Sequence, residues 1–309
     1  MTRLAFFGLD APTITRHMQL KRTYPYRLLN VFAESVFGGN PLCVFEHAEG
    51  LSDAEMQALA LQFNLSETCF ILPSDKASAR MRIFTPDTEM AFAGHPSIGT
   101  ASVVQNVHRT GERLTLECKA GIVPLHLEDE VWTFAAPQAP KAAPCQLNAD
   151  EISRMLSLEC SDLLAEPQWM NTGSDQLLIP LKSVEAVRRA KLNGALLDKW
   201  PKSSLGRQTG YVFAFEESNA EEPATVHVTA RYFFVRAGGG IGEDPATGSA
   251  CANLGGWWLE SKRPVPARIE VAQGAQINRP SQLYLALLGN KTIQVGGKVV
   301  EIGRGVIQI

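Results

Sequence analysis

The amino-acid sequence predicts two β-rich α+β domains related by pseudo-symmetry, with strands enclosing one central α-helix in each half. Three observations carry this. A short pattern (polar residue, Pro, two small or apolar residues, Gly, hydroxyl residue, Ala) occurs as His95-Pro96-Ser97-Ile98-Gly99-Thr100-Ala101 and again as Asp244-Pro245-Ala246-Thr247-Gly248-Ser249-Ala250. Each copy stands where extended residues give way to helix-compatible ones, so each reads as a helix N-terminus. The helices that follow, Ser97 to Val107 and Ala246 to Leu259, have no charged face until their ends, and a helix apolar or small all round is buried all round. Finally, the order of elements restarts after a Pro/Ala-rich stretch, 136–144, which reads as an interdomain linker.

Residues 1–23 precede the first clear strand and are expected to form an extension, with Met18 as a candidate functional start. Tyr26 to Phe32 reads as a strand, Gly38-Gly39-Asn40-Pro41 as a turn and Leu42 to Phe45 as the next strand. Ser52-Asp53-Ala54-Glu55 opens a helix with a capping box, and Met56, Leu59, Ala60 and Phe63 share one face of it. Asn64 to Glu67 ends that helix. Strands follow at Thr68–Leu72 and Arg80–Phe84, and Thr85 to Glu89 leads into the first copy of the pattern. Leu114–Cys118, Ile122–Leu127 and Val131–Ala135 complete the first half.

Beyond the linker, Asn148-Ala149-Asp150-Glu151-Ile152 opens a helix as Ser52 to Met56 does. Asn171 to Asp175, followed by Leu177 to Pro180, echoes Asn64 to Glu67 followed by Phe70 to Pro73. Helical segments near 183–199 and strands near 211–216 and 226–235 lead to the second copy. Recurrence in one order reads as an internal duplication. The expected division is an extension at 1–23, an N-terminal domain at 24–137 and a C-terminal domain at 138–309, whose last strand is available to pair back with the first domain.

Bulk properties narrow the class. The chain has 309 residues, 45% of them hydrophobic and 20% charged, with a net charge of −3 from 29 basic and 32 acidic residues. It has no run of Lys or Arg that points to nucleic acid or an anionic membrane. No window is apolar for long enough to span a bilayer, and the N-terminus has neither the apolar core nor the cleavage site of a signal peptide, so the expected compartment is the cytoplasm. The six cysteines (43, 69, 118, 145, 160 and 251) lack ligand spacing. They read as buried free thiols, with no metal site and no disulfide framework.

Gly94-His95-Pro96-Ser97 and Gly242-Glu243-Asp244-Pro245 each place a titratable residue at a helix mouth. A helix N-terminus carries roughly half a positive charge and unpaired N–H groups. Two converging on one cleft hold a carboxylate or stabilise a developing negative charge. Asp244-Pro245 also has a purely structural reading, as N-cap and first helical residue. Gly99 and Gly248 let a ligand approach the backbone, and the Thr100 and Ser249 hydroxyls either donate to a ligand or bond back into their helices. Glu67, between an amphipathic helix and the apolar run 69–72, is the candidate general acid/base, and its competing reading is a solvated loop carboxylate. Asn40 reads as a turn residue, Asp87 and Glu89 as polar loop residues. His17, His47, His108, His126 and His227 read as surface or packing residues.

Gly39-Asn40-Pro41, Asn64-Leu65-Ser66-Glu67-Thr68, Phe84-Thr85-Pro86 with Glu89, Phe92 to Gly99 and Gly242 to Ala250 together resemble the PhzF-like family, the phenazine-biosynthesis isomerases within the diaminopimelate epimerase superfamily. The resemblance runs from about Tyr26 to the C-terminus. It implies two barrel-like sheets, each around a central helix, an active site in the cleft between them, a homodimer, and no metal or organic cofactor. It implies that Glu67 moves a proton between carbons of the substrate while His95, Asp244 and Ser249 bind and orient it. The resulting expectation is a cofactor-independent isomerase acting on a small anionic substrate, with Glu67, His95 and Asp244 catalytic and Asn40, Gly94, Ser97, Thr247, Gly248 and Ser249 binding. The alternatives are a non-catalytic binding or scaffold member, or an amino-acid epimerase or dehydratase using carboxylate bases. A two-thiol racemase is disfavoured because neither loop, 90–100 or 238–250, contains Cys.

Overall fold

The computed structural model describes residues 21–216, 225–236 and 239–309. Met18 and most of the expected extension, His17, and Gly238 of the loop 238–250 lie outside the described residues. The first half contains β1 (Thr23–Val31), β2 (Asn40–Phe45), α1 (Asp53–Phe63), β3 (Glu67–Leu72), β4 (Ala79–Phe84) and β5 (Glu89–Met90). It continues with α2 (Gly94–His108), β6 (Arg113–Cys118), β7 (Gly121–Glu128) and β8 (Val131–Ala135). The second half begins with β9 (Lys141–Pro144), α3 (Ala149–Met155), β10 (Gln168–Asn171), β11 (Asp175–Pro180), α4 (Val184–Arg189), β12 (Thr209–Phe215) and β13 (Thr225–Val235). Then come β14 (Ile241–Asp244), α5 (Gly248–Glu260), β15 (Ala267–Gln273), β16 (Ser281–Leu287), β17 (Ile293–Gly297) and β18 (Val299–Gln308). The expected linker at 136–144 is therefore partly a strand, since β9 pairs with β10.

Strand pairing repeats itself. In the first half the order is β18, β1, β2, β3, β4, β6, β7, β8, with β2–β3 and β4–β6 parallel and every other pair antiparallel. In the second it is β9, β10, β11, β12, β13, β15, β16, β17, with β11–β12 and β13–β15 parallel and the rest antiparallel. The short strands β5 and β14 hang from β4 and β13, and β8–β17 joins the halves into one ribbon. Among the described residues no pairing closes either half into a ring.

This repeat corrects the register read from the sequence. The helix between the parallel strands β2 and β3 is α1, and its counterpart between β11 and β12 is α4, not the α3 opened by Asn148. Leu42 stands opposite Glu67 as Leu177 stands opposite Gly210, so Glu67 corresponds to Gly210 rather than to Asp175. Glu89 faces Phe84 as Asp244 faces Tyr232, so Asp244 corresponds to Glu89 rather than to His95.

Two helices fill the ribbon. α2 packs against β1, β2, β3, β4, β6, β7, β8 and β18, and α5 against β9, β10, β11, β16 and β17. Both lie in one core, where Ile98, Ala101 and Val104 meet Leu29 and Leu42, and Ala250, Cys251 and Leu254 meet Leu283 and Leu285. The absence of a charged face follows from this enclosure. So does Gly256, where an added Cβ would lie 2.9 Å from both Met170 Sδ and Pro140 Cβ. Ala is the better helix former by about 0.8–1.0 kcal/mol, whereas overpacking a tight core costs about 1–3 kcal/mol. Pro140 is rigid, so the steric effect wins: Gly256→Ala is expected to destabilise the fold by about 1 kcal/mol or more, seen as a lower urea midpoint. A higher midpoint would show that the strand gives way.

Candidate active site

α1 is closed at its N-terminus by the Ser52/Glu55 capping box and ends at Asn64, whose φ is +52° and whose N–H bonds Ala60 O at 3.0 Å. This left-handed residue turns the chain into β3, and Glu67 is the first residue of that strand rather than part of a loop. The side chain of Glu67 is 15% exposed, and its Oε2 is buried without a hydrogen-bond partner. His95, the second residue of α2, places Nδ1 3.4 Å from that oxygen, and its Nε2 is likewise buried and unpartnered. Burial pushes the Glu67 carboxyl up to about 8; the charge of Asp244 adds to this and that of Arg207 opposes it. Burial pushes His95 down to about 3, against a hydrogen bond to the Pro41 backbone. At neutral pH the two therefore face each other as a protonated acid and a neutral imidazole, not as an ion pair.

Asp244 ends β14 and reaches the same place from the second half. Its Oδ1 accepts from Asn40 Nδ2 at 3.0 Å and its Oδ2 from the Thr247 hydroxyl. Burial pushes it up to about 6, and the bonds from Thr247 and Asn40 pull the other way. The strand is anchored beside it, where Arg231 makes a two-pronged bond to Glu243 at 3.0 and 2.8 Å and ties it to the end of α4. Asp244 is not the N-cap of α5. Thr247 is, so the structural reading of Asp-Pro as a cap is corrected.

The helix starts are also displaced from the expected ones, α2 beginning at Gly94 rather than Ser97 and α5 at Gly248 rather than Ala246. The shift has a geometric reason. A Cβ on Gly94 would lie 3.7 Å from Gly248 Cα, and one on Gly248 would lie 3.8 Å from Gly94 Cα, so the two helices begin back to back. Neither N-cap, Ala93 or Thr247, uses a side chain to cap its helix. The true counterpart of His95 is then Ser249, each following the glycine that starts its helix.

The other expected binding residues take distinct places. Asn40 is 1% exposed and bridges the halves, its Nδ2 donating to Asp244 and to Ala246 O at 2.9 Å, so it is more than a turn residue. Ser97 is fully buried and its hydroxyl bonds back to Ala93 O at 2.7 Å. Thr100 lies a turn deeper in α2, completely buried. Ser249 Oγ accepts from Gln176 Nε2 at 2.7 Å rather than bonding back into its helix. Glu89 is no loose loop residue. It is 13% exposed and held by Arg82 at 2.8 and 2.7 Å and by Lys119 at 2.6 Å. Of the thiols, Cys160 is exposed and Cys145 half-buried, against the expectation that all are buried. No group of three potential metal-ligating side chains occurs among the described residues, and no described helix is long and apolar enough to cross a membrane.

Several side chains at the site carry no signal in the sequence. Gln176 is positioned by Asn253, which donates to Gln176 Oε1 and to Ser174 O and accepts from Thr172 N at 2.8 Å. Gln273 donates to Asp244 O at 2.8 Å. Tyr211 OH is buried without a partner, and burial pushes Tyr232 up to about 12 against a hydrogen bond with the Thr209 hydroxyl. Tyr211, Tyr232 and Asp244 are cross-strand neighbours, a relation set by register alone.

Comparisons with known proteins agree on the family. The model of the phenazine biosynthesis-like proteins matches residues 29–305. A Pasteurella multocida protein named an uncharacterized isomerase is 41% identical over 91% of this chain and 93% of its own length. The trans-2,3-dihydro-3-hydroxyanthranilate isomerase of Pseudomonas aeruginosa is 32% identical over 91% of this chain and 98% of its own. Among solved structures, a PhzF-family phenazine biosynthesis protein of Bacillus anthracis superposes with a TM-score of 0.78 at 24% identity, covering 93% of this chain and all of that one. A hydroxyproline epimerase of Agrobacterium vitis shares the fold with a TM-score of 0.57 at 13% identity, over 94% of each chain. The sheet-dominated α/β chain with two abutting helix starts belongs to the phenazine biosynthesis-like family.

Proposed function

We propose that the protein is a cofactor-independent isomerase that moves a proton on a small carboxylate-bearing substrate, with Glu67 as the general acid/base. The observation that carries this is the buried, unpartnered Glu67 Oε2 facing a neutral His95 at 3.4 Å. A carboxyl with no partner in the resting protein is free to exchange its proton with a bound molecule, and a value near 8 suits transfer in both directions around neutral pH. The N–H groups that open α2 and α5 stabilise the negative charge that develops when a carbon loses its proton. His95 and Asp244 orient the substrate and relay protons, and Asn40, Gly94, Ser97, Thr247, Gly248 and Ser249 shape the binding surface. The repeated pairing order supports reading the halves as pseudo-symmetric barrel-like sheets with the site between them. The same proposal includes a homodimer in the cytoplasm.

The pH dependence tests the assignment. As base, Glu67 must be ionised, so kcat/KM is expected to rise about tenfold per pH unit below pH 7 and to level off above about 8. Small cyclic carboxylates are the substrates to try, beginning with trans-2,3-dihydro-3-hydroxyanthranilate, and turnover in D₂O should leave deuterium on the product. A flat profile from pH 5 to 9 would remove Glu67 from the chemistry.

A further inference from the structure

We infer that Arg207, with Thr209 behind it, forms a carboxylate contact on the second-half wall of the cleft and selects anionic over neutral substrates. The inference rests on the proton-shift reading only for the location of the cleft. β12 has two faces. Val212 and Ala214 belong to the cluster around α3 and α4, and Gly210 abuts Trp200 on that side, whereas Tyr211 and Phe213 belong to the core around α5. Thr209 has the parity of Tyr211. The ladder continues one residue beyond the strand, Gln208 O accepting from Val235 N at 3.0 Å, which brings the adjoining Arg207 to the α5 end of the strand, where its charge acts on Glu67 and Tyr232.

The loop that presents Arg207 is fastened at both ends. Arg207 O accepts from Ser203 N at 2.8 Å, and Arg207 N donates to Ser203 Oγ at 3.2 Å. Ser204 is held by both carboxylate oxygens of Asp175, the residue before Gln176, which in turn holds Ser249. Arg207 itself is exposed and has no ion-pair partner among the described residues, although its charge acts on both Glu67 and Tyr232. Behind it, Thr209 is 5% exposed, and its hydroxyl faces that of Tyr232. A guanidinium that forms no ion pair among the described residues, with a buried hydroxyl beneath it, makes a fork and a single donor, which fits a planar carboxylate.

The test is calorimetric titration with benzoate and with benzamide, its neutral isostere, on the wild type and the Arg207→Gln and Arg207→Lys variants. Wild type is expected to prefer benzoate. Arg207→Gln should weaken benzoate about tenfold and leave benzamide unchanged, with Arg207→Lys in between. Thr209→Val should weaken benzoate by a smaller factor. Equal affinities of the wild type for the two ligands, no measurable benzoate binding, or a loss in Arg207→Gln that is equal for both ligands would overturn the assignment. No bond is broken in these titrations, so a failed proton-shift reading leaves their outcome intact. In turnover, Arg207→Gln should raise KM more than it lowers kcat and move the pH limb of Glu67 upward.

Discussion

Glu67→Gln is expected to lower kcat/KM by about 10²–10⁴-fold and to abolish deuterium uptake from solvent, while leaving the protein folded and more stable than wild type above neutral pH. The amide keeps the size of the side chain and loses the ability to ionise. The stability effect follows from linkage. Glu67 sits near 8 in the folded protein and near 4.3 when unfolded, so between those values the unfolded chain releases a proton that the folded one retains. The unfolded state thus binds fewer protons, and the contribution of Glu67 to stability is fully present below pH 4.3 and is lost as pH rises through 8. Wild type accordingly carries a penalty on the order of 5 kcal/mol at pH 8–9 that the amide does not. Thermal melts of the two proteins should coincide near pH 4.5 and separate by several degrees at pH 9. Turnover that survives the substitution would sink the catalytic assignment, and coincident melts at every pH would show that the carboxyl is solvated after all.

The same burial explains what the sequence revealed and what it hid. Helices flanked by small residues were legible as enclosed, because a helix without a charged face has nowhere else to go. The capping boxes at Ser52 and Asn148 were legible because both of their bonds are local. Duplication was legible too, but in the wrong register. Similar spelling linked His95 to Asp244 and Glu67 to Asp175, whereas strand pairing links Asp244 to Glu89 and Glu67 to Gly210, and the abutting helix starts link His95 to Ser249. Capping and turn signals recur wherever a helix begins, so their likeness says nothing about ancestry of position, and only pairing across strands fixes correspondence. Gln176 and Arg207 were invisible for a related reason: each comes to the site through contacts more than thirty residues away in sequence, and Tyr232 is set beside Asp244 only by strand register. The proposed chemistry is more one-sided than the scaffold, since the position equivalent to Glu67 in the second half is a glycine, Gly210.

Asn40→Ala is expected to destabilise the protein by about 2–4 kcal/mol and, separately, to shift the pH limb of catalysis downward. Asn40 is held in place by a turn in which Gly39 has φ +73° and Arg279 donates to the carbonyls of Gly38 and Gly39 at 2.9 and 3.0 Å. From there its amide reaches across to the second half, serving Asp244 Oδ1 and Ala246 O at once. Truncation leaves a carbonyl of a residue that is 1% exposed and one carboxylate oxygen without this donor, each costing about 1–3 kcal/mol. The bond from Asn40 favours the charged form of Asp244, so its loss raises the Asp244 value above about 6 and leaves less negative charge there at neutral pH. That charge is one of the influences holding Glu67 near 8, so Glu67 then ionises at lower pH and the kcat/KM limb moves down with it. Urea denaturation and a pH–rate profile on the same variant separate the two effects. Lost stability with an unmoved limb would mean that Asp244 and Glu67 titrate independently, and unchanged stability would mean that the bridge between the halves is not made by Asn40.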